Sequence, residues 1–580
     1  MRLQEYWGVG PKTAAQLVDA LGEPAAVAAI ESADVRALTE AGLSRGRATA
    51  ILRRAEGGEA MGVLATRDAR SVYKSLLDLA SEYAVTAHAA DRINVLTPLG
   101  SREAIEARLD AVEAAIASWE ALDDETERAV LEAFAGYDSQ AGDRAAVQAA
   151  LELRETGVEG GVFEPLADLD PDALEEAAAS LGQLAGGDVV AGADDELDRL
   201  RANLEEVERL EGSAFDVLDE IRERGVRGGD EFEQAVLQYL NRETEIDLDT
   251  IRRAAPDDAA DAADFVGATL RSLAADLRET VEEREATVAD QLADALEDAE
   301  GAVADAVEAV DHVTLFVSLA RFAIDLDLAR PTLREDGDTL AFEGARNLGL
   351  ATAEGESVQP VDYAVGEHGL DGAPSGEQVA VVTGANSGGK TTLLETCCQV
   401  ALLAAMGLPV PAERAEVSRF DAVVFHRRHA SFNAGVLEAT LKSVVPPLTG
   451  EGRTLMLVDE FEAITEPGSA ASLLHGLVTL TVDQGSLGAF VTHLADDLEP
   501  LPDAARTDGI FAEGLDRDLN LVVDYQPRFG TVGRSTPEFI VSRLVADAAD
   551  PRERLGFEAL AEALGAEIVQ RTLDDARWDG

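Results

Sequence analysis

Apolar and polar positions follow two different rhythms along this chain. From about 68 to 330 the sequence is rich in Ala, Glu, Asp, Leu and Arg, and its apolar residues recur at helical spacing. Leu197, Leu200, Leu204, Val207, Leu218 and Ile221 keep heptad spacing, interrupted near Glu211. Leu270, Leu273, Leu277, Val281, Val288, Leu292, Leu296, Val303, Val307 and Val310 hold one helix face for some forty residues, a rod of roughly 60 Å at 1.5 Å per residue. Gly228, Gly229 and Pro256 break the pattern between these stretches, which predicts two long helices folded back as an antiparallel arm. Beyond 330 short apolar runs take over, and several of them end abruptly in polar residues.

One of those runs carries chemistry. Val379, Val381 and Val382 give way to Gly384-Ala-Asn386-Ser-Gly388-Gly389-Lys390-Thr391-Thr392, and a helical apolar pattern follows at once. The order is strand, phosphate loop, helix. Glycines let backbone N–H groups turn inward around a phosphate, and the helix N-terminus adds partial positive charge. Lys390 would reach the β- and γ-oxygens, and the Thr391 hydroxyl suits a Mg²⁺ ion, so ATP and Mg²⁺ are the expected cofactors.

Composition changes the picture less than it first suggests. The formal net charge is −64 and the pI near 4.2, yet 46% of the residues are hydrophobic and the helical periodicity is regular, which argues for a folded chain. Positive charge is carried almost wholly by Arg, since Lys occurs only at 12, 74, 390 and 442. This resembles the proteins of extreme halophiles, whose carboxylate surfaces keep them in solution at multimolar salt, so bulk acidity says little about partners. The two cysteines, Cys397 and Cys398, are adjacent on the helix after the phosphate loop, which excludes a disulfide framework or a zinc site. With no apolar run near twenty residues and no charged leader, a cytoplasmic protein without membrane contact is expected.

The N-terminal sixty residues escape the acidity: seven Lys or Arg stand against eight Asp or Glu, a net of −1. Trp7-Gly8-Val9-Gly10-Pro11-Lys12-Thr13 opens one helix, and Gly42-Leu43-Ser44-Arg45-Gly46-Arg47 opens another. Both resemble helix-hairpin-helix units, the first more closely. That resemblance implies DNA phosphate contacts from Gly8, Gly10, Lys12, Thr13, Arg45 and Arg47, with no reading of base edges. A small helical docking or dimerising domain is the other reading of these residues.

Further motifs fall in one order. Asp311-His-Val-Thr-Leu-Phe-Val-Ser-Leu-Ala320 leads to Leu328-Ala-Arg330-Pro331; the phosphate loop carries Asn386 and a double glycine; Gly407-Leu-Pro-Val-Pro411 follows its helix. Ser431-Phe432 comes next, then Thr454-Leu-Met-Leu-Val-Asp459-Glu460, Phe490-Val-Thr492-His493 and Thr531-Val-Gly-Arg534. In this order they resemble the ATPase core of the MutS family of DNA mismatch-repair proteins, over roughly 300–545. The His of an Arg-His-Pro turn is absent after Arg330, and only the hairpin unit precedes the helical core, where a mismatch-reading domain needs on the order of a hundred residues.

The resemblance implies an α/β phosphate-loop ATPase domain of the ABC type, joined to a mainly helical core with lever arms and a small all-helical hairpin domain. The expected domains are 1–60 for DNA binding, 61–330 for the core and arms, 331–550 for the ATPase and 551–580 for a helical tail. Asp459 would hold the Mg²⁺ shell, Glu460 would orient and deprotonate the attacking water, and His493 would sense the γ-phosphate. Ser431 would complete the ATP site of a second subunit, which makes a homodimer the expected assembly. His426-Arg-Arg-His429 either lines that interface or pairs with nearby carboxylates, and Tyr363 and His368 are positional candidates for adenine contacts. The expected function is an ATP-driven, DNA-binding protein of repair or recombination. The alternative is a ribosome- or RNA-associated mechanochemical ATPase.

Overall fold

The computed structural model describes residues 2–140, 142–185, 188–223, 229–353, 358–384, 389–428, 434–464, 467–515, 521–533, 537–548 and 550–565. The chain is mixed α/β and mostly helical, and its contacts divide it into two compact units. The larger unit comprises 1–131, 160–163 and 311–580; the smaller comprises 132–159 and 164–310.

The larger unit begins with four short helices, Pro11–Leu21, Glu23–Glu31, Val35–Glu40 and Arg45–Gly57, around a core that includes Leu17, Leu38, Ile51 and Leu52. Gly10 and Ser44 are the N-caps of the first and last of them, as the two glycine-containing turns predict. Gly42 has φ +88°, a left-handed backbone that favours glycine.

The smaller unit holds a two-stranded hairpin, β1 (Leu184–Ala185) and β2 (Asp188–Val189), which helical periodicity gave no sign of. Helix Asp195–Gly212 ends where the heptad falters, and Ala214–Glu223 resumes it. The long helix runs Ala262–Asp325, 64 residues rather than the expected forty, and passes from the smaller unit into the larger at 310/311. Within the smaller unit it lies antiparallel to Asp195–Gly212. Arg284 Nη2 is 2.7 Å from Asp194 Oδ2, while Arg278 Nη2 is 2.6 Å from Glu208 Oε1, so one number rises as the other falls.

The larger unit then builds two sheets. β3 (Thr332–Arg334), β4 (Thr339–Ala345), β5 (Val361–Gly366) and β7 (Arg414–Ser418) form the smaller one in the order β3-β7-β4-β5. The larger takes β6 (Val379–Gly384), β8 (Ala422–His426), β9 (Thr454–Asp459), β10 (Leu487–Val491), β11 (Ala505–Leu515) and β12 (Leu521–Phe529) in the order β12-β11-β6-β10-β9-β8. All its neighbours are parallel except β11 and β12.

Alternation along these strands explains why their runs are apolar throughout. Ala380 and Val382 join one core with Leu394, Cys398 and Leu402 of helix Lys390–Ala405, whereas Val379 and Val381 join another with Val444, Leu474 and Val478. Leu457 and Val458 divide in the same way on β9. A sheet covered on both faces needs apolar residues at every position, and the polar residues that carry chemistry are left for the strand ends.

Among the described residues no helix is long and apolar enough to cross a membrane.

Candidate active site

Three strand ends meet beside the first turn of one helix. β6 ends at Gly384, β9 at Asp459 and β10 at Val491, and the register pairs Val491 with both Val382 and Asp459. Parallel strands in register bring their C-terminal ends to one edge, so Asp459, Glu460, Thr492 and His493 converge on helix Lys390–Ala405. That helix starts from Gly389, whose φ of +73° and ψ of 11° are left-handed. A Cβ at Gly389 would also lie 2.8 Å from Tyr525 Cδ1 of β12, so ring and backbone touch. Asn386 and Gly388 of the phosphate loop lie outside the described residues, as do Ser431, Phe432 and Arg534.

Lys390 is buried, and its Nζ donates a 2.9 Å hydrogen bond to the Gly384 carbonyl. Burial pushes its ammonium below the usual lysine range, although Glu460, Asp459 and Glu462 pull the other way. The Thr391 hydroxyl donates to Asp459 Oδ2 at 2.7 Å. Asp459 Oδ1 is buried, with no hydrogen-bond partner among the described residues. Burial raises the Asp459 carboxyl above the usual range, against the bond from Thr391.

Glu460 is held differently from its neighbour. Its φ is +41°, rare for a residue with a side chain, and its amide donates to the Val491 carbonyl at 3.0 Å. The hydrogen bond with His493 Nε2, 3.0 Å from Oε1, is the main reason its carboxyl is lowered; Arg428 Nη1, 2.7 Å from Oε2, adds to this. Glu462, which no motif singled out, accepts from the Thr492 hydroxyl at 2.9 Å and from the His493 amide at 2.6 Å. The only hint of it in the sequence is a third carboxylate two residues after Glu460.

A cavity of about 390 Å³ opens beside these groups, lined by Asn347, Leu350, Gln359, Lys390, Thr391, Glu460 and Tyr525 among others. Tyr363 and His368 do not line it. Tyr363 is buried with its hydroxyl 3.1 Å from Asp508 Oδ2, and His368 Nε2 is 2.9 Å from the Pro374 carbonyl. Packing holds the Tyr363 ring, and local turn bonds hold that of His368. Of the run at 426–429, His426 is buried, Arg427 pairs with Glu395 at 2.7 Å and Arg428 with Glu460. His429 lies outside the described residues.

At the N-terminus Gly8, Gly10, Lys12, Arg45 and Arg47 are exposed, whereas Thr13 is buried. The two helix starts touch: Arg47 Nη2 donates to Thr13 Oγ1 at 2.6 Å. Arg45 is paired with Asp91.

Part of the chain is similar to known proteins. The DNA-binding protein MutS2 of Pyrococcus furiosus is 45% identical over 220 residues, 38% of each chain. Over those residues the chain is similar to the MutS family. The endonuclease MutS2 of Thermomicrobium roseum is 29% identical over 287 residues, 47% of this chain and 35% of that one. The DNA mismatch repair protein MutS of Natronomonas pharaonis is 30% identical over 230 residues, 37% of this chain and 25% of that one. The matches thus span well under half the length of these MutS-family relatives. No protein-family model matches the chain.

Proposed function

We propose that this chain is a Mg²⁺-dependent ATPase of the MutS family that binds DNA and serves repair or recombination. The observation that carries this reading is the convergence of Lys390, Thr391, Asp459, Glu460 and His493 at the ends of β6, β9 and β10. Lys390 and the phosphate loop of Gly384, Asn386, Gly388, Gly389 and Thr392 hold the phosphates. Thr391 and Asp459 suit Mg²⁺, because Asp459 offers, beside a hydroxyl, a buried oxygen with no hydrogen-bond partner among the described residues. A Mg²⁺ ion there neutralises phosphate charge. Glu460 takes the proton of the attacking water, and His493 fixes the rotamer in which Glu460 does so. The base takes the cavity beside Tyr525.

Hydrolysis by this reading is completed in a homodimer, with Ser431 supplied to the partner's ATP. Residues 1–60 are a DNA-backbone module in which the N-terminus of helix Pro11–Leu21, with Lys12 exposed beside it, meets a phosphate. The ranges 61–330, 331–550 and 551–580 serve as core and arms, ATPase and tail, and nucleotide binding closes the arms on DNA. Relatives named for DNA binding and mismatch repair support the choice of DNA.

The test is ATP hydrolysis in multimolar KCl with linear duplex, mismatched duplex, four-way junction, single-stranded DNA or ribosomes added in turn. Stimulation by a DNA form, lost in Lys12→Glu, is expected. Stimulation by ribosomes alone would sink the DNA reading.

A further inference from the structure

The basic run at 426–429 sends its two arginines in opposite directions. Arg427 is occupied away from the site: its guanidinium pairs with Glu395 and lies 5.3 Å from the centre of the Phe425 ring, and its amide donates to Asp68 Oδ2 at 2.9 Å. Arg428 turns toward the site, with Nη1 2.7 Å from Glu460 Oε2. Its side chain is 56% exposed, so it leaves that contact without unpacking anything.

The consequence for Glu460 is specific. His493 occupies Oε1 and Arg428 occupies Oε2, so both oxygens of the carboxylate already face a donor. Each donor takes one lone pair of its oxygen, and the Arg428 ion pair makes the carboxylate a weaker acceptor for the proton of the water it must deprotonate. The charge balance points to what removes this ion pair. Asp459, Glu460 and Glu462 stand against Lys390 and Arg428, so the site is negative before any phosphate enters. A triphosphate in the cavity that Glu460 lines adds negative charge, and a guanidinium matches phosphate oxygens in two-pronged geometry at least as well as a single carboxylate oxygen.

We propose that Arg428 is the residue of this chain that reads the terminal phosphate: it rests on Glu460 when that phosphate is absent and transfers to it when a triphosphate binds, freeing Glu460 Oε2. The inference rests on the nucleotide-site reading above. It gives the chain a cation in cis at the phosphate, in addition to Lys390, and makes release of the base depend on the third phosphate being present.

Equilibrium binding tests it without reference to turnover. ATPγS and ADP, each with Mg²⁺ in multimolar KCl, are titrated into the wild-type chain, Arg428→Ala and Arg428→Lys. The expected result is a loss of about tenfold or more in ATPγS affinity for Arg428→Ala, ADP affinity within about twofold, and partial recovery in Arg428→Lys, since a charged contact is lost for one nucleotide only. Unchanged ATPγS affinity, or an equal fall for both nucleotides, would overturn the role of Arg428 while leaving the nucleotide site standing. A wild-type chain that binds neither nucleotide would overturn the site itself.

Discussion

The Thr391 hydroxyl donates a 2.7 Å hydrogen bond to Asp459 Oδ2, tying the first turn of helix Lys390–Ala405 to the end of β9. The other Asp459 oxygen is buried and has no partner among the described residues. A buried carboxylate oxygen with no partner is costly unless something arrives to use it, and a divalent cation is the natural occupant. Thr391→Val should therefore raise the Mg²⁺ concentration needed for half-maximal nucleotide binding by on the order of tenfold. An unchanged Mg²⁺ midpoint would remove Thr391 from the metal site.

The phosphate loop enters from a strand end with no slack. Gly384 has φ +129°, and a Cβ added there would lie 2.1 Å from the Ile510 carbonyl oxygen of β11. Gly384→Ala should lower unfolding stability by about 3 kcal/mol or more, through strain and backbone displacement together. Gly376→Ala is the control, because Gly376 has φ +117° with nothing within 4 Å of an added Cβ. If both variants lose equally in urea unfolding, the contact with Ile510 contributes nothing.

Acid stability follows from Glu460. Its folded carboxyl is lowered, chiefly by the hydrogen bond with His493, so its contribution is present above the ordinary carboxylate range and is lost as pH falls through the lower folded value. His493→Ala removes the main cause. Loss of stability on acidification should then begin at higher pH than in the wild type, read as urea midpoints from about pH 7 down to about pH 3. Superimposable midpoint-against-pH curves for the two proteins would contradict this.

Cys397 and Cys398 are buried, and burial pushes both thiols well above the usual range. Neither should react with a disulfide reagent at about pH 8 until the chain unfolds, when both should react together. Labelling of the folded protein at the rate of a free thiol would show that the core around helix Lys390–Ala405 opens.

The sequence made some of this visible and hid the rest for identifiable reasons. The run Val379 to Val382 ahead of Gly384 and the run Leu455 to Val458 ahead of Asp459 read as buried strands, and both are. Local signals suffice where a strand is apolar on both faces and ends in a charged pair. The pairing of β6 with β10 and β11, more than a hundred residues later, leaves no local trace. For the same reason Tyr525 against Gly389 and Glu462 beneath His493 went unread, and the run at 426–429 could be given carboxylate partners only in general: each meets its partner through the sheet order. Tyr363 shows the converse. Its position in the sequence suggested the nucleotide, but in the fold its hydroxyl meets Asp508, whose two oxygens share the single Nε–H of Arg506. Helix Ala262–Asp325 exceeds the apolar face read over 270–310 because it continues at both ends, through 262–269 and 311–325.

The most direct measurement is steady-state ATP hydrolysis by the purified chain in multimolar KCl, wild type against Glu460→Gln, with nucleotide binding measured on the same samples. The account predicts Mg²⁺-dependent turnover in the wild type, a fall of a hundredfold or more in Glu460→Gln, on the order expected for loss of a general base, and retained ATP binding in the variant. Equal turnover in both proteins, or no ATP binding by the wild type, would contradict it.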